Sequence, residues 1–116
     1  MRVIFESIDA YVYFIQAKDG PIKIGRSKNP HERLIKLQVA SPYQLQLLYF
    51  FPGGAKSEHA TKHTLIDDKV RGEWFWPTSR VFREIDAEKA IDKKHNWSMN
   101  EWNPKIDFKD NRLTST

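Results

Sequence analysis

The sequence predicts a single small domain of the α+β class, with helices packed on a small mixed sheet. Two observations lead to this fold class: a strand–turn–strand pattern over residues 10–26, and segments of helical periodicity that then alternate with further strand segments. The length of 116 residues fits one domain, and 40% of the residues are hydrophobic, which is enough for a core. We place the domain at residues 1–95, with its core at 10–85, and interpret residues 96–116 as a partly docked C-terminal tail.

The first two strands form a predicted hairpin. Residues 10–17 are rich in β-branched and aromatic types, and residues 22–26 alternate apolar and polar side chains. Between them Lys18-Asp19-Gly20 is a turn signal, in which Gly20 can supply a positive φ. A three-residue loop pairs Tyr13 with Gly25, so one face is an apolar core face and the other carries Tyr11, Tyr13 and Lys23. A tyrosine and a lysine on a solvated strand face are common, so this pairing alone does not identify a site.

A helix over residues 30–40 follows, because Asn29 can cap it, Pro30 suits its first position and Glu32 stands three residues after the cap. Residues 44–51 begin by alternating and end as an apolar run, which favours a central strand.

The second half of the chain predicts two more helices around an aromatic segment. Ser57 is a cap for a polar helix over about 58–69, which Gly72 ends. The aromatic residues of 73–76 are expected in the core, and Thr78 or Ser79 caps a last helix that continues to about residue 91.

The composition excludes several classes of protein. The chain has no cysteine, which excludes disulfide scaffolds, thiolate zinc sites and cysteine nucleophiles. Its apolar runs, such as residues 47–51, are too short to span a bilayer, and residues 1–9 lack the apolar stretch of a signal peptide. We therefore expect a soluble, cytoplasmic protein without a membrane partner.

The net charge of +4 is concentrated in one segment. Residues 10–40 carry six basic side chains against two acidic ones, whereas residues 41–52 carry no charge. A basic segment in an otherwise nearly balanced chain marks the first candidate for a functional surface.

Short motifs follow one another in a fixed order along residues 10–85. They are Tyr11-Val12-Tyr13, Lys23-Ile24-Gly25, Arg33 ten residues after Lys23, Glu58 on a later helix, and Gly72-Glu73-Trp74-Phe75. This ordered set resembles the GIY-YIG nuclease family, and most closely its phage-type branch. The resemblance implies a three-stranded antiparallel sheet flanked by helices, and a metal-dependent endonuclease that cleaves DNA.

The resemblance also implies roles for individual residues. Glu58 would be the single protein ligand of Mg²⁺ or Mn²⁺, with waters and substrate oxygens completing the shell. Arg33 would hold the phosphate through its planar, permanently charged guanidinium, and Tyr13 or Lys23 would position or deprotonate the attacking water. The catalytic set is therefore Tyr13, Lys23, Arg33 and Glu58, and the candidate nucleic-acid contacts are Tyr11, Arg26, Lys28, Lys36, Lys62 and His63.

Two departures from the family pattern leave an alternative open. Leu37 stands where many members have a tyrosine or histidine, and Lys62 stands where this branch often has a histidine. The alternative is a noncatalytic module on the same fold that binds nucleic acid or another protein. His59 and His63 have zinc-compatible spacing, but no third ligand is evident. High sequence specificity would need a homodimer or a larger assembly, because no separate DNA-reading module is evident.

Overall fold

The computed structural model describes Glu6 and residues 8–102, so residues 103–116 of the predicted tail lie outside the described residues. The strands are β1 (Tyr11–Ala17), β2 (Ile22–Ser27), β3 (Leu45–Pro52), β4 (Lys69–Arg71) and β5 (Trp74–Phe75). The α-helices are α1 (Pro30–Val39), α2 (Ala55–Thr64) and α3 (Ser79–Lys94), and two 3₁₀ turns cover Ile66–Asp68 and Met99–Glu101. No helix in this described part of the chain combines the length and the apolar content needed to cross a membrane.

The α+β class is confirmed, but the sheet is larger than predicted. It has five strands in the order β3-β1-β2-β5-β4, and every pair is antiparallel, so the mixed sheet and the three-stranded sheet were both wrong. The two additional strands have only three and two residues, too few to show an alternating pattern. β3 is an edge strand and not the central strand that was predicted. Its apolar run arises because layers packed on both faces of the sheet bury its side chains.

The hairpin register is confirmed. Tyr13 pairs with Gly25 and Phe14 with Ile24. The turn differs in one detail, because Asp19 and not Gly20 adopts the positive φ, at 54°. Aspartate tolerates the left-handed region through local hydrogen bonding, and the Gly20 N–H donates to the Ala17 carbonyl at 2.7 Å.

Both faces of the sheet are buried, which makes the fold three layers deep. One face carries Val12, Phe14 and Ile24 and packs against α3 through Val81 and Ile85. The other face carries the buried tyrosines of β1 and packs against partly buried apolar side chains of α1 and of the segment after α3 (Leu34, Leu37, Trp97, Met99 and Trp102). The face that was expected to be solvated is therefore a second core face, on which Tyr13 is only 1% exposed.

The start of α2 is set by a residue far away in the chain. The predicted cap Ser57 lies inside the helix, which begins at Ala55 after Gly54 and ends at Thr64. The Glu6 carboxylate accepts hydrogen bonds from the backbone N–H groups of Gly54 (2.7 Å) and Lys56 (2.8 Å), and from the Ser57 hydroxyl. Glu6 therefore caps the N-terminus of α2, and no local sequence pattern could reveal a cap that lies so far away in the chain.

Candidate functional site

The candidate site lies at the outer edge of β2. β5 pairs with β2 only at Ile22 and Lys23, so no strand within residues 8–102 continues this pairing toward Arg26. The Ile24 N–H donates outward to the Glu73 carbonyl at 2.9 Å. Backbone groups two residues apart in a strand point to the same side, so Arg26 also presents its N–H and C=O at this open edge.

Five charged side chains meet at this edge, and we call them the ion-pair cluster: Lys23 and Arg26 of β2, Glu58 and Lys62 of α2, and Glu73 beside β5. Lys62 Nζ lies 2.8 Å from Glu58 Oε2 and 2.8 Å from Glu73 Oε2. Arg26 Nε lies 3.6 Å from Glu58 Oε1, and Lys23 Nζ contacts Glu73 Oε1. Every oxygen of the two carboxylates thus faces a cation, and one positive charge remains in excess.

The electrostatics of the ion-pair cluster keep Lys62 and Glu73 charged. Burial disfavours the charged form of Lys62, but hydrogen bonds to Glu58 and Glu73 outweigh burial and raise the pKa of Lys62 above its ordinary 10.5. Burial alone would raise the pKa of Glu73, but hydrogen bonds from Lys23 and Lys62 lower it below its ordinary 4.5. Near neutral pH, Lys62 is therefore a fixed positive charge and Glu73 a fixed negative one.

Tyr13 lies directly across β2 from the site, because its ring covers the backbone of Gly25. A Cβ at position 25 would come within 2.5 Å of Tyr13 Cζ, so only glycine leaves room for this ring. The side chain is otherwise enclosed, with only 1% of its surface exposed. Its phenol therefore lies over Gly25, on the face of β2 that also carries Lys23.

The structure brings together only part of the predicted site. Lys23, Arg26, Glu58 and Lys62 join the ion-pair cluster, with Tyr13 beside it. Arg33 is exposed on α1, and within residues 8–102 it makes no ion pair with the cluster.

The remaining candidates lie elsewhere. Tyr11 is buried against Phe50, Trp97 and Trp102, with ring centroids 5.4 to 6.2 Å apart, and does not reach the surface. Lys28 and Lys36 are exposed, and Lys36 pairs with Glu32 at 3.5 Å. His63 is exposed on α2, one turn from His59.

Sequence reasoning gave no role to Glu73, which the structure shows to be central. It accepts from two lysines that stand 50 and 11 residues away in the chain. The signal that could have revealed it is the pairing of β5 with β2, which a two-residue strand does not display in the sequence.

The ion-pair cluster as arranged does not fit a divalent cation. Lys62 Nζ occupies the position between the two carboxylates that a bridging cation would take. An ion such as Mg²⁺ would have to displace Lys62 or Arg26 to reach a Glu58 oxygen, in a cluster that already carries excess positive charge. No group of three or more histidine, aspartate or glutamate side chains converges elsewhere in the described residues. The predicted Mg²⁺ or Mn²⁺ stays a prediction.

Comparison with known proteins gives a family match. The sequence model of the T5orf172 domain matches residues 10–96, whereas no curated protein and no solved structure matches the chain. The resemblance to the GIY-YIG nuclease family was therefore wrong, because the matching domain is a distinct fold family. Part of the motifs that suggested it has a packing explanation, since Tyr11, Tyr13 and Phe75 are buried core residues.

Proposed function

The chain belongs to the T5orf172 domain family, and on that premise we propose that it is an endonuclease that binds DNA at the ion-pair cluster and hydrolyses a phosphodiester bond there. The observation that carries the proposal is the cluster itself, three cations and two carboxylates at an open strand edge, beside a tyrosine hydroxyl. Such a combination of donors, fixed charge and proton-exchanging groups suits phosphodiester chemistry. A DNA substrate also agrees with the cytoplasmic location expected from the sequence.

Phosphate binding would begin at Arg26. Its side chain is 38% exposed, against 10% for Lys23 and 23% for Lys62, and its contact with Glu58 at 3.6 Å is long. The guanidinium therefore keeps donors for a bidentate contact with phosphate oxygens, and the outward N–H of Arg26 adds another donor. In the free protein, the carboxylates of Glu58 and Glu73 stand in for these phosphate oxygens and hold the cations in position.

The remaining members supply charge stabilisation and proton handling. Lys62, with its raised pKa, stays protonated and stabilises negative charge that develops on the phosphoryl oxygens. Glu73 fixes the ammonium of Lys23 at the edge of the strand. We assign orientation of the attacking water to the Tyr13 hydroxyl, with the Glu58 carboxylate as the group that takes its proton once Arg26 has turned to the phosphate.

The test is cleavage of supercoiled plasmid and of branched DNA, with Mg²⁺ or Mn²⁺ and separately with EDTA. Wild-type protein should nick at least one substrate, and Lys62→Met should lower the rate by about 100-fold, the usual cost of removing one charge-stabilising donor. Lys94→Met, an exposed lysine at the end of α3, is the matched control and should cleave like wild type. Absence of cleavage on every substrate, or full activity of Lys62→Met, would contradict the proposal.

The same assay tests whether cleavage requires a divalent metal ion. Cleavage that survives EDTA would assign the stabilising charge to Lys62. Cleavage that is lost in EDTA and returns with Mg²⁺ or Mn²⁺ would mean that DNA binding draws the cations of the ion-pair cluster away from Glu58 and frees it for the ion.

A second candidate function is noncatalytic binding of nucleic acid. The observation that favours it is the complete pairing of both carboxylates, which leaves neither of them free to act as a base in the free protein. Binding that weakens steeply with salt, without turnover, would support this function. In either case the domain is small, and we propose that a homodimer or larger assembly supplies sequence specificity.

A further inference from the structure

A second pocket shares Lys62 with the ion-pair cluster. It has a volume of about 200 Å³ between α2 and the β4–β5 hairpin. Four of its lining side chains are basic: His59, Lys62 and His63 from α2, and Lys69 from β4. Phe75 forms a buried apolar floor, and Ile66, which is 51% exposed, lies at the rim.

The nearest carboxylates pair with Lys62 and not with the other three basic side chains of the pocket, His59, His63 and Lys69. None of the described side chains that line it is acidic. Glu58 and Glu73 are directed at Lys62, Lys23 and Arg26 in the ion-pair cluster.

The two aspartates of the 3₁₀ turn that precedes β4 are directed elsewhere. Asp67 and Asp68 both pair with Arg80, at 3.6 and 3.1 Å. The imidazoles of His59 and His63 and the ammonium group of Lys69 are therefore the groups of the pocket that can receive an anion.

The size and chemistry of the pocket restrict its ligand. A volume of about 200 Å³ is below the roughly 300 Å³ at which pockets for drug-sized molecules begin, and it suits a phosphate with part of a sugar. The ring centroids of His59 and His63 are 6.3 Å apart on successive turns, so both imidazoles can donate to one tetrahedral anion when protonated. The apolar floor at Phe75 can pack against a sugar.

We propose that this pocket binds a phosphate group of the nucleic-acid strand, next to the phosphate held by the ion-pair cluster. Lys62 lines the pocket and belongs to the cluster, so it lies between the two phosphate positions. The inference rests on the proposed function in one respect, namely that the ligand is a nucleic-acid strand. It adds His59, His63 and Lys69 to the residues that contact that strand.

The first experiment uses the full chain and inorganic phosphate. At pH 6, where a free imidazole is largely protonated, phosphate is titrated against chloride at constant ionic strength while the histidine imidazole resonances are followed by NMR. A saturable shift at His59 and His63, with none at the exposed His95, is expected. If the His59 and His63 resonances do not shift, or if the His95 resonance shifts equally, the proposal that the pocket binds phosphate is overturned.

The second experiment measures binding of a single-stranded oligonucleotide as a function of salt. A His63→Gln/Lys69→Gln variant should bind more weakly, and the slope of log K against log salt should fall by about one unit. A Lys94→Gln/His95→Gln variant has the same residue changes at the end of α3 and should match wild type. Thermal unfolding of both variants checks that each is folded.

The two proposals can fail separately. If phosphate shifts His59 and His63 but no DNA is cleaved, the pocket stands and the endonuclease proposal is wrong. If DNA is cleaved while the His63→Gln/Lys69→Gln variant keeps the wild-type salt slope and the imidazoles do not respond to phosphate, the pocket is overturned and the endonuclease proposal stands.

Discussion

At the scale of single residues, Gly25 decides where the Tyr13 side chain can lie. The Tyr13 ring is enclosed in the core, so it cannot swing away from a methyl group added at position 25. We expect Gly25→Ala to destabilise the protein by about 1–3 kcal/mol, the usual cost of overpacking. Gly20→Ala is the matched control, because a Cβ there meets its neighbours at ordinary distances of 3.5 Å or more. Urea unfolding of both variants measures the difference, and equal stabilities would contradict the close approach.

The hydroxyl of Tyr13 can be tested apart from its ring. Tyr13→Phe keeps the packing over Gly25, so its stability should stay close to that of wild type. If the hydroxyl orients the attacking water, the cleavage rate should fall by about 100-fold. A Tyr13→Phe protein that cleaves at the wild-type rate would remove Tyr13 from the mechanism and leave its role in packing intact.

At the scale of secondary-structure elements, α2 depends on Glu6. Burial alone would raise the pKa of Glu6, but hydrogen bonds from the Ser57 hydroxyl and from the backbone N–H groups of Gly54, Lys56 and Ser57 lower it. Glu6→Gln should cost about 1 kcal/mol, as loss of an N-cap does, because a neutral amide accepts more weakly than a carboxylate at the positive end of a helix. Asp9→Asn, an exposed acidic residue nearby in the chain, should change stability little. Chemical denaturation at pH 7 compares the two.

Elements with local signals were predicted correctly, and elements that depend on distant partners were not. The Asn29 side chain accepts from the Glu32 N–H at 3.1 Å, and Thr78 caps α3 by accepting from the Val81 N–H, as their sequence positions suggest. The start of α2 and the role of Glu73 could not be predicted, because Glu6 and Lys23 lie about 50 residues from their partners. The site was thus predicted as separate residues, and its assembly depends on sheet register.

At the scale of the whole molecule, stability should fall at both ends of the pH range. The lowered pKa values of Glu6 and Glu73 mean that both carboxylates stabilise the fold above about pH 4.5, and this contribution is lost as pH falls through the folded-state values. The raised pKa of Lys62 works in the opposite sense, so its contribution is complete below about pH 10.5 and is lost as pH rises beyond it. Melting temperatures from pH 3 to 11 should show a plateau with a fall on each side. Glu73→Gln should flatten the acid fall, and an unchanged acid limb in that variant would contradict this account.

The boundary of the domain depends on the segment that follows α3. The Trp97 and Trp102 rings pack on Tyr11 and Phe50 at centroid distances of 5.3 to 6.2 Å, so this part of the predicted tail completes one core face of the sheet. We expect Trp97→Ala/Trp102→Ala to lose about 2 kcal/mol or more, since truncating these half-buried rings uncovers both aromatic side chains beneath them. Trp76→Ala removes a tryptophan that is 53% exposed and should stay within about 0.5 kcal/mol of wild type. If the double variant were as stable as Trp76→Ala, residues 1–95 would suffice for the fold. If it is destabilised, the folded unit extends to at least residue 102, and any fragment used to test DNA cleavage must include that segment.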